Sequence, residues 1–471
     1  MASEEAGRLA AAESKMTVAS PKNGFLGKIG GRAVTRVGWG FADQAVSSLT
    51  NFAISFFLAH ALSAAAFGAF SLTYVSYGFA LTAARGLTTD PLVVRYSGVE
   101  DSKWRRATGS AAGLAVVLGL LAGTVCLAVA FVLGGTAGSG FLALGLTLPG
   151  LVLQDCWRFC FFAAGRGGQA FLNDSIWGAL MVPAMVVLHI TGHTSVFWAV
   201  LAWGGSACVA AAAGIWQARA VPQLLRGWAW LYLHRDLGPR YMAEGSVASG
   251  AGQVKVYFMS GVLGLAAVGW LQACNTIFGP ISVVLAAMGL IVIPEAARVL
   301  KRAPTRLGWF SLAIAFGVSC IVAVWGAALL VGLPRGLGNI MLGPIWRPTL
   351  PLVLPMTVAM VAQGCAVGPV AVLHALGAAR RSLRLVIVAA VLSLVFAVIG
   401  GLVRGAPGVV WGTAAAAFVS TGLTWWQLRV ALRQHNLPQA SIPRLPWRFT
   451  QSWYSARHVR SKRYPPPGQG T

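Results

Sequence analysis

Ten ionisable side chains fall within, or at the ends of, otherwise apolar runs of this sequence: Asp43, Arg85, Asp90, Asp155, Arg158, His189, Glu244, Lys255, Glu295 and His374. Charge in hydrocarbon surroundings is costly, so each is a candidate for function. Lys255 is the most informative. Gln253 and Tyr257 flank it and alternate with Gly250 and Gly252, and its ammonium can meet phosphate or sugar-acid groups as a point charge. Its other reading is a stem that snorkels to a watery cavity, or a pair with an acid of another helix. Arg85 carries a planar fork suited to phosphate, or to an ion pair with Asp43.

Asp43 and Glu244 read as gating or ion-coupling carboxylates or as structural links to basic loops, and Asp90 joins them as a gating candidate. Asn51 is a polar candidate for lining a cavity, with Gln44, Gln272, Asn275 and Gln363; such groups also serve as interhelical links of ~0.6 kcal/mol apiece. Asp155 and Arg158, at i and i+3, are spaced to pair on one helix surface. Glu295 with Arg298 reads as a helix end at a membrane surface. His189 and His374 lack metal-ligand company and read as hydrogen-bonded interface residues. Cys156 and Cys160 share a helix face without further ligands, and the odd cysteine count argues against a disulfide framework. No catalytic residue, metal site or cofactor is expected.

The elements that must position these groups are membrane helices. Hydrophobic residues make up 57% of the 471 and charged residues only 10%, with a mean hydropathy of +0.70. A water-soluble surface cannot be built from that composition. Twelve spans are predicted, roughly 37–62, 67–90, 107–133, 139–164, 171–190, 195–218, 241–264, 266–293, 308–333, 348–376, 382–404 and 407–431. Each is long enough to cross ~30 Å at 1.5 Å per residue. Backbone groups in lipid must bond internally, so the spans are helices.

The net charge of +24 suggests nucleic acid at first sight. The basic residues, however, lie in short segments between apolar runs, with no continuous basic face, and no nucleic-acid partner is expected. Of the 36 Lys and Arg, 31 fall on one side of the twelve spans. Arg335, Arg347 and Arg404 fall on the other, and Arg85 and Lys255 lie within spans. That asymmetry predicts a multi-pass protein of the cytoplasmic membrane with both termini cytoplasmic.

The expected organisation is an N-terminal tail over 1–36, an N-lobe over 37–218, an amphipathic linker over 219–240, a C-lobe over 241–431 and a basic tail over 432–471. The linker mixes Arg226, Arg235 and Arg240 with Trp228, Trp230 and Tyr232, the pattern of a helix lying on the inner leaflet. No signal peptide is evident. No G-x-x-x-x-G-K-[ST] loop occurs, so ATP hydrolysis by this chain is not expected.

A shift of 201 positions overlays the first span on the seventh. Asp43 meets Glu244, Val46 meets Val247, Ser48 meets Ser249, Phe57 meets Phe258 and Gly68 meets Gly269. Six spans followed by six that start on the same side imply two lobes related by an axis along the membrane normal, with substrate held between them.

Gly40-Phe41-Ala42-Asp43-Gln44, Ser47-Ser48-Leu49-Thr50-Asn51-Phe52 and Phe67-Gly68 resemble the opening of polysaccharide-biosynthesis membrane proteins. Those are similar to O-antigen and murein-precursor flippases of the multidrug/oligosaccharidyl-lipid/polysaccharide exporter superfamily. Ile293-Pro294-Glu295-Ala296-Ala297-Arg298 resembles the end of that family's eighth helix, and Leu354-Pro355-Met356 and Ala375-Leu376-Gly377 parts of its tenth. The resemblance implies an all-α polytopic protein with about 12 helices in two six-helix lobes around a central cavity. It implies a glycan on polyprenyl pyrophosphate as cargo, glycan-assembly machinery as a partner, and basic residues on the first, second and eighth helices lining the cavity. Arg85 fits that last pattern, but Asp43 lacks the neighbouring arginine common in those proteins, and the two further helices of murein-precursor flippases are absent.

The expected function is a flippase for a lipid-linked oligosaccharide or related cell-envelope glycolipid, working within membrane lipid and able to act as a monomer. The alternatives are an ion-coupled small-molecule antiporter of the same fold and, from another class, a glycan polymerase or ligase. The latter needs a sizeable outer loop, and the outer loops here are short.

Overall fold

The computed structural model describes residues 23–435. The expected basic tail therefore falls almost wholly outside the described residues, as does most of the N-terminal one. Everything regular within them is helical. The N-lobe contains α1 (Asn23–Ala61), α2 (Ala64–Leu87), α3 (Thr89–Tyr96), α4 (Asp101–Leu133), α5 (Gly135–Ala163), α6 (Gly167–Ile190) and α7 (Val196–Ala218). A connection bearing the short α8 (Gly227–Leu233) leads to α9 (Gly238–Val262), α10 (Leu265–Ile277), α11 (Gly279–Arg302), α12 (Leu307–Gly332), α13 (Gly338–Leu342), α14 (Trp346–Ala375) and α15 (Ala379–His435).

Two expected spans are broken, and proline explains both. Pro91 has no N–H to give the Leu87 carbonyl, so the second span breaks at Thr88 into α2 and α3. The freed Leu87 carbonyl accepts instead from Trp230 Nε1 of α8 at 3.1 Å. Pro280 breaks the eighth span between α10 and α11, which meet at a bend of 58°. Conversely, α15 holds two crossings separated at Arg404 and Gly405, whose backbone is non-helical. α1 starts at Asn23, well before the span expected from 37.

The twelve crossings make two similar lobes. α5 packs between α4 and α7, and α14 packs correspondingly between α12 and the second half of α15. Small residues set these distances. A Cβ at Gly119 would meet the Pro149 backbone, and one at Gly368 would overlap the Ser311 carbonyl. Indole donors tie the same helix pairs: Trp157 Nε1 gives to the Ala211 carbonyl at 2.9 Å, and Trp425 Nε1 to that of Cys365 at 3.1 Å.

Seven stretches are individually long and apolar enough to cross a membrane, two of them holding two crossings each, and neither α1 nor α9 is among them. These are the repeat-equivalent first helices of the lobes. Their polarity follows from their place: α9 packs against α2 of the other lobe, and α1 touches α10. Both lie at the meeting of the lobes, where a helix need not present an apolar face to lipid on every side.

Candidate functional site

The two lobes use ionisable groups differently. In the N-lobe, Arg85 of α2 donates through Nε and Nη2 to both oxygens of Asp155 on α5, at 2.8 and 2.5 Å. Its guanidinium also lies over the Phe159 ring, 4.7 Å from the centroid. Arg158, one turn further along α5, donates to Asp43 of α1 at 2.6 Å and to Gln44 Oε1 at 3.3 Å. Asp174 of α6 stands 3.5 Å from the same guanidinium.

Gln154 Nε2 extends the network to Asp174 at 2.7 Å and to Asn173 at 3.3 Å. Asn173 then donates to the Ala210 carbonyl and to Gln217 of α7. Five helices are thus joined through one buried polar cluster. It holds three carboxylates and two guanidiniums, and Asp43, fully buried, leaves Oδ1 without a hydrogen-bond partner among the described residues.

This arrangement corrects two sequence-based pairings. Asp155 and Arg158 do not pair with each other, although i and i+3 are neighbours on a helix; each is drawn to a partner on another helix. Arg85 pairs with Asp155 and not with Asp43. It is therefore tied to the N-lobe, with about a third of its side chain exposed. Asp90, in the first turn of α3, lies within the electrostatic reach of Arg85. Asn51 is half-buried in α1. The side chain of Glu244 lies outside the described set, so its equivalence with Asp43 is visible only in helix register. Asp174, Asn173 and Gln154 were missed. Asn173 and Asp174 fall just inside the fifth predicted span, and the rule that singled out the other intramembrane charges applies equally to Asp174.

In the C-lobe, Lys255 of α9 is half-buried and donates from Nζ to Thr413 Oγ1 on α15 at 3.3 Å. No carboxylate pairs with it among the described residues. Thr413 also lines a cavity of about 960 Å³ between α9, α14 and both halves of α15. Its walls are mainly aliphatic, with hydroxyls at Ser393, Ser420, Thr421 and Thr424, and with Gln363 and His374. From their places along the helices, most of these residues lie in the half of the lobe nearer the chain ends, and Thr413 stands at the deep end.

Gln253 and Tyr257 part company with Lys255. They are one turn apart and share the helix face that meets α2, where Tyr257 Oη lies 2.9 Å from Ser76 Oγ and Gln253 lies beside Gly78. A residue at i+2 points away from that face, so Lys255 is directed to α15. The three were expected to line one cavity between the lobes; the structure gives two of them to the seam and the lysine to the interior of the C-lobe.

The lobes meet along α2. Gly86 packs on the backbone of Tyr241 and Met242 at one end of the α2–α9 seam. At the face away from the chain ends, Gly68 packs on the Leu265 carbonyl and Gly269, while Gly269 packs on the Ala64 carbonyl. These glycines are the pair that the 201-residue shift overlays. His60 reinforces this closure with Nε2 3.1 Å from the Asn339 carbonyl. By symmetry α1 should meet α11 as α2 meets α9, but among the described residues no such seam joins them.

Glu295 and Arg298 pair at the exposed surface at 2.6 Å, and the helix end expected there lies further on, because α11 continues to Arg302. His374 Nε2 lies 2.9 Å from Ser382 Oγ, and the His189 ring packs edge-on against Phe57. Cys156 and Cys160 are buried with their sulfurs 3.9 Å apart.

No protein-family model and no curated protein matches the sequence. Solved structures do match the fold. An inward-facing multidrug-resistance MATE transporter of the MOP superfamily superposes with a TM-score of 0.64 at 17% identity, over 83% of this chain and 96% of that one. The lipid II flippase MurJ in an inward closed conformation gives a TM-score of 0.64 at 10% identity, over 84% and 89%. An outward-facing MATE transporter gives 0.52 at 15% identity, over 83% and 93%. The chain therefore has the two-lobed fold of MOP-superfamily transporters, and these neighbours are transporters and a flippase, not enzymes.

Proposed function

We propose that the protein is an alternating-access flippase that carries a lipid-linked oligosaccharide or a related anionic glycolipid across the cytoplasmic membrane. One observation carries this reading: a lysine with no carboxylate partner among the described residues, hydrogen-bonded to the deep wall of a large, mainly aliphatic cavity. A phosphate or pyrophosphate supplies the charge that Lys255 lacks, and aliphatic walls suit a polyprenyl chain.

The alternating-access part rests on the lobe contacts. Closure through Gly68, Gly269 and His60 lies on the face away from the chain ends, which the basic-residue asymmetry makes the outer one. The higher similarity to the inward-facing neighbour than to the outward-facing one supports a cytoplasm-facing state.

An ion-coupled small-molecule antiporter is the second reading, and the N-lobe favours it. Three carboxylates share two guanidiniums there, and uptake of one proton or monovalent cation balances the cluster. Coupling of this kind serves either cargo, so the cargo itself must be tested. Deletion followed by lipid analysis separates the readings: accumulated polyprenyl-linked glycan on the cytoplasmic leaflet supports the flippase. Altered drug sensitivity with normal lipid-linked glycan assigns the antiporter. Thiol labelling from outside is expected at cysteines placed at Thr136 and Thr194 but not at Lys103 or Arg381; the reverse pattern overturns the orientation.

A further inference from the structure

A second cavity lies far from Lys255, at the membrane boundary on the face of the chain ends. It has a volume of about 380 Å³, opens to the exterior, and is lined by α3, the first turns of α4, and the α8 connection. Four cations line it, Arg95, Lys103, Arg106 and Arg226, over an aromatic floor of Tyr96 and Trp230. Arg95 is paired with Asp236 at 2.6 Å and donates to the Leu233 carbonyl. The side chains of Lys103, Arg106 and Arg226 make no hydrogen bond or ion pair among the described residues. Of the acids at the start of α4, Glu100 accepts from Ser102, and Asp101 pairs with Arg105 and Arg166.

The cavity is built, not a chance gap between mobile side chains. Gln223 N donates to the Gly109 carbonyl at 2.8 Å, and the absence of a side chain at Gly113 lets the Gln223 backbone lie directly on α4. Trp230 anchors α8 through the Leu87 carbonyl. Behind it His234 is buried, its Nδ1 2.9 Å from the Trp230 carbonyl and its ring 3.9 Å from the indole. Three like charges that line one cavity repel one another, and one bound anion relieves that repulsion.

The surroundings say where the anion comes from. Leu225, Trp228, Tyr232 and Leu233 are exposed around the cavity, which is how an interfacial helix presents itself to a leaflet. Below it, α4 shows Leu120, Leu121 and Val125 to its exterior, as a lipid-facing helix does. We propose that this cavity binds the phosphate of an anionic phospholipid from the cytoplasmic leaflet. Its glycerol backbone rests on Tyr96 and Trp230, and its acyl chains run along α4. Because α8 connects the lobes, an occupied site clamps the connection to the N-lobe and couples leaflet composition to lobe movement.

The test uses the full chain purified in detergent. Native mass spectrometry and thermal unfolding follow titration with dioctanoyl phosphatidylglycerol, dioctanoyl phosphatidylcholine or inorganic phosphate. Saturable binding of phosphatidylglycerol with a rise in unfolding temperature is expected, with neither response to phosphatidylcholine. Arg226→Ala should weaken binding roughly fivefold, and Lys103→Ala with Arg106→Ala about thirtyfold, at about one surface charge's worth per residue. The Arg226 side chain is exposed and has no hydrogen-bond partner among the described residues, so its variant keeps the measurement meaningful if the double variant folds poorly. Removing Arg302 and Arg306, exposed basic residues of the C-lobe, should leave binding unchanged. Equal binding by wild type and Arg226→Ala, or an equal loss on removing Arg302 and Arg306, overturns the site. Inorganic phosphate that competes as well as phosphatidylglycerol overturns the lipid assignment.

Discussion

The N-lobe and C-lobe share a helix order and a packing scheme, yet they treat charge in opposite ways. In the N-lobe every described intramembrane arginine finds a carboxylate on another helix, and the cluster ties five helices together. In the C-lobe a single lysine has only a threonine hydroxyl, beside a cavity several times the volume of a side chain. A buried charge that is fully paired stabilises its own lobe's arrangement, whereas one left unpaired calls for a partner from outside. The two lobes share the scaffold and divide the chemistry: arginines paired with carboxylates across helices in one lobe, a lysine with no carboxylate partner among the described residues in the other.

The contrast breaks most sharply at Lys255. Replacement by Ala or Glu is expected to reduce transport to background while membrane insertion and thermal unfolding stay near wild type; full transport by both variants removes Lys255 from the site. Arg158 should behave in the opposite manner. Arg158→Ala leaves Asp43 and Asp174 without their shared cation and is expected to cost about 3–5 kcal/mol in detergent unfolding. Adding Asp43→Asn to that variant should recover part of the loss, since it removes the stranded charge. A double variant no more stable than Arg158→Ala alone would show that the carboxylate is satisfied in some other way.

The contact between the lobes gives a smaller effect. Gly68→Val forces a side chain against the Leu265 carbonyl and should weaken closure by about 1–3 kcal/mol. The readout is faster labelling of a cysteine introduced at Leu265 in a chain freed of its native thiols. Unchanged labelling would mean that these glycines do not govern opening.

The smallest effect is expected at His234, outside the spans. Burial lowers its imidazole below the usual range, against an opposing contribution from its bond to the Trp230 carbonyl. A base whose folded value is lowered contributes stability above its unfolded value, near 6.5, and loses it as pH falls through the folded value. The protection of α8 amides, with exchange corrected for its intrinsic pH dependence, should therefore be greatest at neutral pH and fall as the medium is acidified below about pH 6. His234→Gln should flatten that dependence. A profile identical in the variant assigns the acid response to another group.

Much of this was legible from residue order. The twelve crossings follow from apolar runs and charge alternation, and the repeat was visible in a handful of matched positions. Its best vindication is Gly68 and Gly269, which meet in space because equivalent positions near a two-fold axis are brought together. The partners of the charges were not legible. Asp155 and Arg158 satisfy every local rule for pairing with each other, and each instead pairs across helices, because the low-dielectric interior rewards the partner with the better geometry over the nearer one in sequence. Nor was the bend at Pro280 foreseen, although the residue that causes it is plain in the sequence.

Composition alone placed this chain in a bilayer, since no arrangement in water hides so much apolar side chain, and the distribution of Lys and Arg proposes its orientation. The sequence also named Lys255, because a lone cation in an apolar run is conspicuous wherever it points. Only the tertiary structure decided where it does point. The i+2 relation to Gln253 and Tyr257 turns it from the seam into the C-lobe, and helix packing determines which neighbour each buried charge meets. Local order dictates which groups enter the membrane; the contacts between helices dictate which of them are neutralised there and which remain to bind.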